Sequence, residues 1–119
     1  MRRLRILALG FALALAGAGS AVAGHRGHPK LVGTVADPFV ITLTKGGKKV
    51  TSLKAGTYRI VVKDTAADHD FHLTGPGVNK VTSVTGTGTV TWTVKLKKGT
   101  YTYMCDPHAS FMKGSFTVK

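Results

Sequence analysis

Cys105, His108 and Met112 put a thiol, an imidazole and a thioether within eight residues, in the stretch Gly99 to Lys113 that reads GTYTYMCDPHASFMK. These are soft to borderline donors, and they suit copper. Two imidazoles and one thiolate around a single ion, with a weak thioether in the axial position, form a site for redox-active copper. The loop carries only one imidazole, so a second must come from elsewhere in the chain. His69 and His72, in Asp68-His69-Asp70-Phe71-His72-Leu73, are the candidates.

The elements that must position these donors are strands. Tyr101, Tyr103 and Cys105 alternate with Thr100, Thr102 and Met104, the period of a strand that carries Cys105 to its end on the apolar face. Asp106-Pro107 ends the strand, because proline has no N–H for a ladder and Asp-Pro favours a turn. His108 and Met112 then fall in a short loop, and Gly114 reopens extended structure. The same alternation applied to residues 69–74 puts His69, Phe71 and Leu73 on the inward face. Asp70, His72 and Thr74 face solvent, so His69 is the expected second imidazole.

Cys105-Asp106-Pro107-His108 followed by Met112-Lys113-Gly114 resembles the copper loop of the cupredoxins, in plastocyanin- and amicyanin-like form. The His-to-Met spacing falls between those two. The resemblance implies a Greek-key β-sandwich and one type 1 copper ion held by His69, Cys105, His108 and axial Met112. It further implies a loop histidine that reaches the surface through an apolar patch serving as the electron port. By analogy that port is His108, ringed by Pro107, Phe111 and Gly75-Pro76-Gly77. Asp70 stands where the family usually has asparagine. An ionised aspartate only accepts hydrogen bonds, so the surroundings of the ligands are expected to be rebuilt.

The rest of the chain agrees with an all-β fold. Leu31–Val35, Phe39–Thr44, Val50–Leu53, Thr57–Lys63, Val78–Val84 and Val90–Lys97 read as short strands between Gly-rich turns, and no sustained helical spacing follows residue 23. Lys54-Ala55-Gly56-Thr57-Tyr58 is echoed by Lys97-Lys98-Gly99-Thr100-Tyr101, one turn-into-strand solution used twice. Arg2, Arg3 and Arg5, the apolar run Ile6–Ala18 and Ala21-Val22-Ala23 read as a cleavable export signal over residues 1–23. Residues 24–30 read as a flexible polar tail, with copper chelation by His25 near the new N-terminus the less favoured alternative, and residues 31–119 form the copper-binding domain. The expected location is periplasmic or extracellular, with no transmembrane segment in the mature chain.

Charge and composition narrow the partners. Fourteen of the 17 Lys+Arg lie beyond the signal against all 5 acidic residues, a net charge of about +9 for the mature domain. No nucleic-acid module accompanies the lysines. They read first as a solvated basic face, and functionally as steering towards an acidic redox partner or an anionic envelope surface; the expected protein is a monomer. A lone cysteine in an exported chain cannot form an internal disulfide, which fits a ligand role. Enzymatic chemistry is not expected: the chain has no second histidine cluster, no acid–base carboxylate pair and no glutamate. Two alternatives use the same fold. One is a copper storage or delivery protein; the other is an interaction module without metal or with zinc.

Overall fold

A computed structural model describes residues 27–119. The expected signal, its cleavage position and His25 lie outside the described residues.

Ten strands form two facing five-stranded sheets. In the first, β1 (Lys30–Ala36) lies between β2 (Val40–Lys45) and β5 (Gly56–Asp64), with β3 (Lys48–Lys49) and β8 (Gly88–Leu96) at the edges. In the second, β9 (Gly99–Met104) lies between β10 (Lys113–Val118) and β6 (His72–Gly75), flanked by β4 (Ser52–Leu53) and β7 (Val78–Val81). The pairs β1·β5 and β4·β10 are parallel and the remainder antiparallel. The all-β sandwich is the expected one. No α-helix occurs among the described residues, and the loop after Cys105 contains one 3-10 turn, Asp106–His108.

Period-2 patterning accounts for the core. Tyr58, Ile60 and Val62 from β5 and Tyr101, Tyr103 and Phe116 from the other sheet are buried, while the intervening Thr, Lys and Ser face out, as a sandwich requires. Burying one such apolar side chain stabilises the fold by roughly 1.5–3 kcal/mol. Two glycines let the tyrosines in. A Cβ on Gly75 would overlap the Tyr101 ring, and one on Gly114 the Tyr103 ring, so each tyrosine lies across a strand position without a side chain.

The echo between residues 54–58 and 97–101 has a physical basis. The Tyr58 hydroxyl donates to the Lys54 carbonyl at 2.7 Å, and the Tyr101 hydroxyl to the Lys97 carbonyl at 2.8 Å. Both are tyrosine corners, which pin the entry of a strand to the backbone just upstream.

The register defines two poles. At one end lie Ala36, Val40, Asp64, Gly88, His72, Met104 and Lys113; at the other lie Lys30, Lys45, Gly56, Leu96, Gly99 and Val118. The Cys105 loop closes the first pole. Gly75-Pro76-Gly77, expected beside His108, sits at the second: Pro76 is against Gly99, and its carbonyl is 3.3 Å from the Tyr101 hydroxyl. The reason is strand direction, since β6 begins at the site pole and its exit turn lies a strand length away.

Candidate metal centre

Tyr101, Tyr103 and Cys105 point inward as their alternation predicts, and Cys105 is fully buried. The 3-10 turn then brings the chain back on itself. His108 N–H donates to the Cys105 carbonyl at 3.0 Å, and Met112 N–H to the His108 carbonyl at 2.9 Å. Cys105 N–H in turn donates to the Met112 carbonyl at 2.9 Å, and Met112 is buried in the core cluster that contains Cys105. Three backbone bonds thus close the loop around its own donors.

The fourth predicted residue arrives from the connection between β5 and β6. His69 is fully buried, and His69, Cys105 and His108 offer ligand atoms that lie within 4.8 Å of one another. Cys105 Sγ is 3.6 Å from His69 Nδ1 and 3.5 Å from His108 Nδ1, and the two Nδ1 atoms are 3.1 Å apart. Donors bound at about 2.0–2.3 Å to one first-row ion in a trigonal arrangement stand roughly 3.5–3.8 Å apart. The two sulfur–nitrogen separations fall in that range and the nitrogen pair is slightly tighter. The donor set therefore fits a single ion of copper's softness.

The tautomer supports the same geometry. His69 Nε2 is 2.8 Å from the Pro38 carbonyl oxygen, which only accepts, so Nε2 carries the proton and Nδ1 turns its lone pair to the cluster. A second partner on the far nitrogen is how proteins orient a metal-binding imidazole. Asp37 and Asp68, both exposed, stand 3.5 and 3.7 Å from the same Nε2. Burial pushes the Cys105 thiol above its ordinary pKa, outweighing hydrogen bonds from the backbone of Asp70 and His108. Metal binding must displace that proton.

Asp70 departs from expectation. It is buried, not solvent-facing, because it precedes β6, where the chain is not yet paired and a hydrogen bond rather than alternation sets its direction. Its Oδ1 accepts the Asp106 N–H at 2.6 Å, tying the His69 segment to the cysteine loop. Burial, reinforced by the neighbouring Asp106 carboxyl, raises the Asp70 pKa. His72 is partly exposed, as expected, but it is not idle. Its Nδ1 meets both Asp106 oxygens at 2.8 and 3.0 Å, and its Nε2 meets Asn79 Oδ1 at 2.6 Å. Both nitrogens face acceptors, which favours the imidazolium. Burial alone would lower the His72 pKa, but Asp106 and Asn79 outweigh it and the net direction is upward. The Asp106 pKa is lowered: burial opposes this, and the His72 and Asp70 contacts prevail.

Sequence reasoning missed Phe39. Its ring centroid lies 5.2 Å from those of His108 and Phe111 and 5.8 Å from that of His69, and Phe39 and Phe111 are 55% and 58% exposed. These two rings, not Gly75-Pro76-Gly77, surround the His108 edge. A signal was present in the repeated Asp-Pro-X of Asp37-Pro38-Phe39 and Asp106-Pro107-His108, which ends two strands at one pole.

Comparison with known proteins agrees with this geometry. No curated protein matches the chain by sequence. Among solved structures, reduced rusticyanin is similar over 76% of this chain and 78% of its own, with 20% identity and a TM-score of 0.55. A rusticyanin variant matches with 22% identity, 76% of each chain and a TM-score of 0.57. The rusticyanin from Thiobacillus ferrooxidans matches with 23% identity, 76% of each chain and a TM-score of 0.50. At these identities the likeness establishes the fold. Residues 37–119 match the profile of the copper binding proteins of the plastocyanin/azurin family. With a Cys-His-His cluster at the end of a β-sandwich, Cys105 and His69 buried and His108 half-buried, and this match over most of its length, the chain belongs to the plastocyanin/azurin family of copper-binding proteins.

Proposed function

We propose that the protein is an exported one-electron carrier in which His69, Cys105 and His108 would hold one copper ion, with the Met112 thioether as a weak fourth donor. The observation that carries the reading is the convergence of the three donor atoms beneath the Phe39–Phe111 patch. The bound ion would supply the Cu(II)/Cu(I) couple. The chain's own part is to keep the donors still. His69 is held by Pro38, Cys105 lies between two backbone bonds of its loop, and Asp70 links the two segments. Ligands fixed in this way change position little between oxidation states, which favours rapid exchange. The half-buried His108 edge between two exposed rings is the route by which a partner protein would reach the site.

The test is copper titration of the mature domain, followed by visible and electron-paramagnetic spectra. One equivalent of Cu(II) should give an intense visible thiolate band with a narrow hyperfine splitting. Tight retention of both oxidation states against a chelator supports a carrier, and ready release of Cu(I) would make it a storage or delivery protein. A colourless protein after loading would leave a cupredoxin fold without this chemistry.

A further inference from the structure

The aspartates of this domain gather at one end and most of its lysines at the other, with Lys63 and Lys113 on the aspartate side. All five aspartates lie at the site pole: Asp37 follows β1, Asp64 ends β5, Asp68 and Asp70 lie in the next connection, and Asp106 follows β9. At the opposite pole an open groove between the two sheets is lined by Lys45, Lys48, Lys49, Lys54 and Lys119. The neighbouring turn between β8 and β9 adds Lys97 and Lys98. These lysines are exposed, and no carboxylate side chain lines the groove. Among the described residues, every ion pair involves a histidine and none a lysine. Seven ammonium groups at one end repel one another, and an anionic surface brought from outside relieves that repulsion.

We propose that this lysine pole is a docking surface for a bilayer rich in anionic phospholipid, and that it holds the domain with the Phe39–Phe111 pole turned away from the membrane. An acidic redox partner does not fit this end. The nine residues of β5 run from one pole to the other, so a partner seated here would be about 30 Å from Cys105. Single-stranded nucleic acid does not fit either, because it is held by aromatic platforms beside the charge and the groove contains none. A headgroup surface needs only clustered, accessible cations. Each lysine near such a surface adds to the attraction, and salt screens it.

The experiment is co-sedimentation of the mature chain with phosphatidylcholine vesicles, with and without phosphatidylglycerol, over a salt series. Binding is expected only to the anionic vesicles and should fade with salt. Replacing Lys45, Lys48 and Lys49 together by Gln should weaken it by at least ~10-fold. Replacing Lys63, Lys80 and Lys113 by Gln removes the same charge away from that pole and should weaken it by less than ~3-fold. Equal loss in both variants would reduce the effect to net charge and overturn the proposal. So would absence of binding to anionic vesicles, or tighter binding of a DNA oligonucleotide at the same salt. The assay needs no metal, so its failure and failure of the copper reading are separately visible.

Discussion

The Nε2 atom of His69 rests 2.8 Å from the carbonyl oxygen of Pro38, while its Nδ1 atom stands 3.6 Å from the sulfur of Cys105. One imidazole thus joins the turn before β2 to the loop after β9, and its hydrogen bond sets which nitrogen is free. His69→Ala should abolish the thiolate-to-copper band, whereas His72→Ala should leave the band in place, because His72 turns to Asp106 and Asn79. Absorbance after titration with one equivalent of Cu(II) decides it. A coloured His69→Ala protein would remove His69 from the ligand set.

The His72–Asp106 pair should make loop stability depend on pH in a definite direction. His72, with its folded pKa above the ordinary 6.5, contributes fully below that value and loses its contribution as pH rises through the raised pKa. Asp106, held below the ordinary 3.8, contributes above that value and loses its contribution as pH falls through the lowered pKa. The pair is therefore strongest between about 3.8 and 6.5. Asp106 is 45% exposed, so solvent screening limits the effect to about 1 kcal/mol at most. Denaturant midpoints of the wild type and His72→Ala should differ inside this window and converge in alkali. A constant difference would show that His72 acts by packing alone.

Asp64 shows the opposite sign. One of its oxygens accepts the Ala66 N–H at 3.0 Å, and the other, Oδ2, is buried without a partner. Burial raises its pKa, so the charged form weakens the fold as pH rises from 3.8 through the raised value. Asp64→Asn keeps an oxygen for Ala66 and removes the charge. It should raise the unfolding free energy near neutrality by about 1 kcal/mol and leave it unchanged in acid. Destabilisation at neutral pH would show that the carboxylate has a partner.

Much of the centre was legible because strand period and turn chemistry act locally. Tyr101, Tyr103 and Cys105 follow their alternation into the core, and Asp-Pro ends the strand before the loop. The inward set His69, Phe71 and Leu73 is fully buried as well. The same rule failed at Asp70, where the chain is not yet paired and a hydrogen bond to the Asp106 backbone, not alternation, sets the side chain's direction. It failed again for Gly75-Pro76-Gly77 and Phe39, because the pole on which a loop falls depends on the crossing of strands between sheets. Sequence counts the lysines and aspartates, but only the register reveals that the aspartates gather at one end and most of the lysines at the other.

The two tyrosine corners offer a matched pair of stability tests. Tyr58→Phe and Tyr101→Phe each delete one hydroxyl that donates to a carbonyl four residues upstream. Each should cost about 1 kcal/mol, with Tyr101→Phe the larger because its hydroxyl also lies within reach of the Pro76 carbonyl. Both sit at the lysine pole, so copper spectra should be unaltered. A spectral change in either variant would mean that the poles are mechanically coupled through the core.

The port is tested by charging its rim. Phe39 and Phe111 lie 5.2 Å apart by ring centroid and flank His108, yet neither offers a ligand atom. An aromatic anchor lost from the centre of a docking patch costs about 2 kcal/mol or more, close to thirtyfold in a second-order rate. Phe111→Glu should therefore slow electron exchange with a protein partner by about that factor while the visible band keeps its position and intensity. Phe39→Glu should do the same, and the band serves as control because Phe39 also packs near His69. Stopped-flow mixing with a redox protein, set against a small inorganic oxidant that needs no docking patch, separates the cases. Equal slowing with both reagents would place the lesion at the metal, and no slowing with either would move the port away from His108.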